Sequence, residues 1–353
     1  MNTSGGSPDE DEQITILSWI YVSSLSLSLM GSSSVLVVSI VKRKHLNEQV
    51  KPLAQLALAD FLASLVLMCT VVINFTNNIW RYNPKLCNNG LPLSLAFYCI
   101  SFLLIIIYAF ESAHAFQGWR KHTEQEAYEQ HLSRRRRRFC LIYITAWITP
   151  IIGYLIYVNT IKIKPATVSE GYEKVDFSLL SSSNRGPTAR FCESCILFLR
   201  HTNDSCTTVD LPHSEFIRGF TLCSVLIVIV SCSVVYCKLQ SCYSYYENTR
   251  MFTITQRHPS GIWSSARYMI LVIFLCWTPA LLLISFSFAQ AKIAHLFPLY
   301  IIQAISVSLQ GFLNSIVYAW RRQNFRKAIL GERLPLMAYS NKAFFEQSLS
   351  EPA

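Results

Sequence analysis

The sequence predicts an all-α integral membrane protein, a bundle of seven transmembrane helices followed by a short amphipathic helix. Three observations lead there. Charged residues make up only 15% of the 353 and apolar ones 52%, whereas a soluble chain carries about a quarter charged residues on average. Seven stretches are each long enough to cross a bilayer, which takes ~20 mostly apolar residues. The net charge of +10 is unevenly shared between the two ends of those stretches.

Residues 1–13 form a short outer segment holding Asp9, Glu10, Asp11 and Glu12. The first span, 14–41, has no charge and follows acidic residues, so it reads as an uncleaved signal anchor and not a signal peptide. The second, 53–80, contains one charge, Asp60. The third and fourth, 86–110 and 139–161, have none. The fifth, 216–239, is uncharged over 219–237. The sixth, 268–290, is uncharged and interrupted by Pro279. The seventh, 294–320, is uncharged when His295 is neutral. Residues 321–330 place Phe325, Ala328 and Ile329 on one helical face among basic neighbours, so this segment lies on anionic lipid and Gly331 ends it. Residues 331–353 form an inner tail.

Orientation follows from Lys and Arg near the span ends. With the N-terminus outside, the inner segments hold 21 of the 31 basic residues. The run Arg134 to Arg138 directly precedes the fourth span and reads as an anchor against anionic lipid, not as a nucleic-acid patch. Three glycosylation sequons, at Asn2, Asn74 and Asn203, fall on the outer side, and Asn74 lies close to the bilayer. Cys87, Cys192, Cys195 and Cys206 are also outer, and four cysteines allow three pairings. The expected location is the plasma membrane, with the N-terminus extracellular.

Asp60 is the only acidic residue deep within a span. Its burial costs several kcal/mol unless a partner or ion receives it, so it faces other helices. Both a structural hydrogen-bonding role and an ion site remain open. Alanines 54, 57, 59 and 63 let neighbouring backbones approach. In Cys276-Trp277-Thr278-Pro279, proline removes a backbone hydrogen bond and creates a hinge, with Trp277 filling the interior. No enzyme motif is present: metal-dependent hydrolysis requires several His and carboxylates inside the bundle, and there is no phosphate-cradling loop or serine elbow. Internal repeats and paired broken helices, the marks of a transporter, are not visible.

Leu56-x-x-x-Asp60, Cys276-Trp277-x-Pro279 and Asn314-x-x-x-Tyr318, in that order, with Cys87 opening the third span, resemble the seven-helix G-protein-coupled receptors, including cyclic-AMP-receptor-like members. The resemblance covers residues 14–330. It implies a pocket for sodium or water formed by Asp60, Ser101, Trp277, Gln310 and Asn314. It implies a switch through Trp277, Pro279, Tyr318 and Glu111, a disulfide from Cys87 to Cys206, and a heterotrimeric G protein as partner. The chain departs from the family pattern at Gly31-Ser32, at Asn314-Ser315 and at Glu111-Ser112-Ala113. Glu111 and His114, one turn apart, either form a different inner lock or mark the membrane boundary.

The expected function is therefore receptor-like: a membrane protein that transduces an extracellular or membrane-borne signal, from an unknown ligand, by movement of span six. The alternatives are a non-coupling scaffold or trafficking protein, and a transporter or ion pathway through Asp60. Sodium is the only cofactor expected; membrane lipids are partners, and nucleic acid is not.

Overall fold

The computed structural model describes residues 8–41, 51–75, 84–118, 128–163, 195–198, 204–248, 259–288 and 296–321. Every regular element among them is helical. Helix α1 (Pro8–Val41) is rich in serine yet crosses as a helix. Its hydroxyls bond back to its own carbonyls, as in Ser26 Oγ to the Val22 oxygen at 2.7 Å and Ser32 Oγ to the Ser28 oxygen at 2.7 Å. In lipid such internal pairing satisfies each polar group without water.

Helix α2 (Lys51–Val72) ends in a 3-10 turn at Ile73–Phe75. The buried Ala57, Ala59 and Ala63 admit its neighbours α1 and α3. Helix α3 (Pro84–Gly118) is the central element, packing on α2, α4, α5 and α6. Helix α4 (Tyr128–Ile163) rests chiefly on α3, and its other faces are left largely exposed to lipid. Helices α5 (Asp204–Asn248) and α6 (Pro259–Phe288) pack on each other. The helix α6 runs through Pro279, where the Thr278 hydroxyl donates to the Phe274 carbonyl at 2.5 Å. That bond pairs the hydroxyl within the helix; the carbonyl that loses its donor to the proline is that of Leu275, one residue further on.

The seventh segment is broken. Helices α7 (Phe297–Ser308) and α8 (Gln310–Arg321) meet at Leu309 with a bend of 44°. Leu309 N still donates to the Ile305 oxygen and Leu313 N to the Leu309 oxygen, so the bend does not interrupt these bonds. Among the described residues, six unbroken helices are long and apolar enough to cross a membrane, and the bent pair would make a seventh. The N-terminal helix starts at Pro8, ahead of the expected residue 14. Residues 76–80, the amphipathic segment beyond Arg321 and the tail lie outside the described residues.

Two glycines set how closely α1 and α8 approach. A Cβ on Gly31 meets the Phe312 Cα at 3.1 Å, and one on Gly311 meets the Ser28 Oγ at 2.5 Å and the Asp60 Cβ at 3.2 Å. No proline occupies the break before Gly311. The missing side chain at 311 lets the start of α8 lie close against α1 and α2 at the break. Gly311→Ala should therefore lower the melting temperature through overpacking, with a cost of ~1–3 kcal/mol. Adding Ser28→Ala, which removes the hydroxyl in the way, should recover part of the loss in a thermal-denaturation cycle.

Candidate functional site

Asp60 is 1% exposed at mid-span on α2, and three side chains from two helices donate to it. The Ser101 hydroxyl on α3 donates to Oδ1 at 2.7 Å. Gln310, the first residue of α8, donates Nε2 to the same oxygen at 3.1 Å and to Ser101 Oγ at 3.0 Å. Asn314, one turn later, donates Nδ2 to Oδ2 at 2.7 Å. A carboxylate in low dielectric gains most from such charge-assisted bonds. Their removal leaves buried donors as well as a buried charge.

Gln310 carries the connection further. Its Oε1 accepts from Trp277 Nε1 at 2.6 Å, so one amide joins the α2 carboxylate to the indole of α6. The indole is held edge-on by two aromatic rings of α3, Tyr98 at 5.3 Å and Phe102 at 4.9 Å between centroids. Trp277 is thus fixed two residues before Pro279, where the helix lacks a backbone donor. All five residues expected around the pocket (Asp60, Ser101, Trp277, Gln310 and Asn314) come together in one buried network.

The expected switch residues are placed less closely. Glu111, at the far end of α3, accepts from the Tyr143 hydroxyl on α4 at 2.8 Å; the His114 side chain lies outside the described residues. The Tyr318 backbone is helical within α8, and its side chain also lies outside them. So do the side chains of Cys87 and Cys206, although both backbones are helical. Cys195, by contrast, is disulfide-bonded. Asn2 and Asn203 are not described. Asn74 sits in the 3-10 turn that directly follows α2.

Several contacts had no motif to announce them. Tyr21 on α1 and Gln303 on α7 bond reciprocally, hydroxyl to Oε1 at 3.2 Å and Nε2 to hydroxyl at 3.1 Å. Ser28 and Ser64 share a hydrogen bond at 3.0 Å between α1 and α2. The spacing of Ser24, Ser28 and Ser32 at every fourth residue was the available signal for a polar face on α1. Arg218, inside the fifth stretch, is buried and donates to Ser287 Oγ on α6 at 2.9 Å. For a cation, the fitting observation is Asn314 Oδ1, a buried oxygen with no partner. With the Asp60 carboxylate and Ser101 Oγ it supplies the oxygen donors that a hard cation takes. These atoms are of the type that fits a small hard cation, although Asn314 turns its amide nitrogen, and not this oxygen, to the carboxylate.

A protein-family model described as Transmembrane protein 116 matches residues 14–333. The chain belongs to that family. This corrects the resemblance to G-protein-coupled receptors, because no model of a receptor family matches. The physical reason lies in how short the shared motifs are. A carboxylate among alanines and a tryptophan before a helix-breaking proline answer general demands of membrane helices. The positions specific to receptors are the ones at which this chain departs: Ser32, Ser315 and Glu111-Ser112-Ala113. What the resemblance alone implied, the Cys87–Cys206 pairing included, loses that support. The geometry around Asp60 stands without it.

Asp60→Leu should destabilise the protein by ~3–5 kcal/mol, since removing one partner strands the remaining buried groups. Asp60→Asn, with the same shape and one oxygen still able to accept, should cost much less. Thermal unfolding of both variants in one detergent checks the order.

Proposed function

We propose that this member of the transmembrane protein 116 family is a seven-span signal transducer. It relays a change at the N-terminal face of the bundle to the opposite face through movement of α6 about Pro279. The observation that carries the reading is the Gln310 amide, which ties Asp60 on one side to Trp277 on the other. Any event that rearranges the Asp60 donors is felt at the indole, and the proline leaves the other half of α6 the freer to swing. The basic residues on the loops and tail favour an orientation with the N-terminus outside, and a protein that receives an extracellular signal belongs in the plasma membrane. In that orientation Asn2 and Asn203 are sites for glycosylation and the N-terminal-face cysteines sit in an oxidising compartment. Spin labels at positions 110 and 268, on the far ends of α3 and α6, test the coupling. Gln310→Leu should lengthen the distance distribution between them; an unchanged distribution rejects the relay.

The receiver on the inner face is a cytosolic protein. Stimulated nucleotide exchange on a purified heterotrimeric G protein would identify that class. A mobile α6 with no exchange points to the scaffold or trafficking alternative, and ion flux in proteoliposomes to the pathway alternative.

The resting state of the relay holds Na⁺ at Asp60. The unpartnered Asn314 oxygen supports this, since a cation beside the carboxylate gives it a partner. A bound ion stabilises the folded state by mass action, whereas screening affects exposed charges alike in both salts. The melting temperature should be higher in Na⁺ than in K⁺ at equal ionic strength, and the difference should vanish in Asp60→Asn. Equal melting of the wild type in both salts removes the ion from the mechanism and leaves the hydrogen-bonded relay intact.

A further inference from the structure

Between α4 and α5 the described chain includes one short segment, Cys195-Ile196-Leu197-Phe198. All four residues are buried, Leu197 completely and Phe198 at 7% exposure. Ile196, Leu197 and Phe198 belong to the same apolar core as the helices, and Cys195 packs on Ile73 in the turn that ends α2. By chain connectivity that turn lies at the N-terminal face, the face reached by the loops after α2 and α4. A stretch between helices normally runs over the surface because its backbone polar groups need water. Here it enters the bundle.

The segment also holds an uncommon backbone. Cys195 and Phe198 have φ of 52° and 66°, and they are the only described non-glycine residues with positive φ. For side chains of this bulk the left-handed region is unfavourable. The conformation persists because it drives the residues between into the core, and the buried apolar area offsets the local strain. The Cys195 disulfide fixes one end of the segment, while Ile196, Leu197 and Phe198 are held by their burial.

Beneath it, further along the helices from that face, come Tyr21 and Gln303 with their reciprocal bonds. The Tyr98 hydroxyl lies there too, buried with the Ser64 side chain beside it, its ring against Trp277. We propose that residues 196–198, tethered at the Cys195 disulfide, form a lid that seals the N-terminal end of the bundle and must lift before a solute from that side reaches the Tyr98–Trp277 layer. Seated, the lid keeps this layer dry; lifted, it admits water or a hydrogen-bond acceptor to the Tyr98 hydroxyl. The inference stands apart from the α6 relay, since it concerns access and not transmission.

Cys276, adjacent to Trp277, is a free thiol with no exposed surface, and so is Cys232 on α5, deeper toward the opposite face. They report access at two depths. The test uses full-length protein in nanodiscs and a cationic methanethiosulfonate reagent, with labelling read at each cysteine by mass spectrometry. Leu197→Asp, which sets a charge where the lid is driest, should speed labelling of Cys276 at least tenfold over wild type and leave Cys232 unchanged. Leu197→Ala should give a smaller rise of the same pattern, and it carries the test should the charged variant not fold. An unchanged rate at Cys276, or an equal rise at Cys232, overturns the lid: the first shows that nothing was sealed and the second that the whole bundle loosened.

Discussion

A single carboxylate in the middle of a membrane dictates the arrangement around it. Asp60 faces the protein interior because lipid offers nothing to solvate it, and the neighbours have to supply donors from more than one direction. Ser101, Gln310 and Asn314 do so from α3 and α8. This requirement brings α2, α3 and α8 to one point and sets their register. Among apolar surfaces alone, a rotation or a slide of one helix costs little, because lipid is as apolar as leucine. The polar centre removes that freedom.

The close contacts of α1 follow from the same centre. Gly311 stands between Gln310 and the rest of α8, and the backbone there approaches both Ser28 and Asp60. A side chain at 311 would hold α8 away, and the Gln310 amide would lose its reach. Gly31 does the reciprocal service against Phe312. Packing and polar chemistry are thus one constraint here: small residues stand where the hydrogen bonds need close backbones.

Much of this was legible in the sequence, and the limits have physical causes. Long uncharged runs marked the helices because length and hydrophobicity are local properties. Asp60 announced a buried site because a charge in a span is costly wherever it lies. The 44° break before Gln310 was not legible, since no proline marks it and the contacts at that point are with helices some 250 residues earlier in the chain, the separation of the Asp60–Gln310 pair. The Tyr21–Gln303 pair spans 282 residues and leaves no periodic trace. The burial of Cys195 to Phe198 was hidden for another reason: four apolar residues in a long loop look the same in sequence whether they lie on a surface or inside a bundle. The family resemblance misled where short motifs reflected membrane physics shared by unrelated proteins.

Helix α4 stands apart from these constraints. It packs chiefly on α3, with the Tyr143–Glu111 bond near one end, and it meets α5 in the Tyr157–Phe216 ring stack at the other. Over residues 141–160 most of its remaining surface is exposed, and in a bilayer the hydrocarbon would cover it. Its tilt is thereby governed by the match between its apolar length and the thickness of the bilayer, more than by side-chain fit. A thicker or thinner membrane would reach the bundle first through this helix, and the protein's shape would vary with the compartment that holds it.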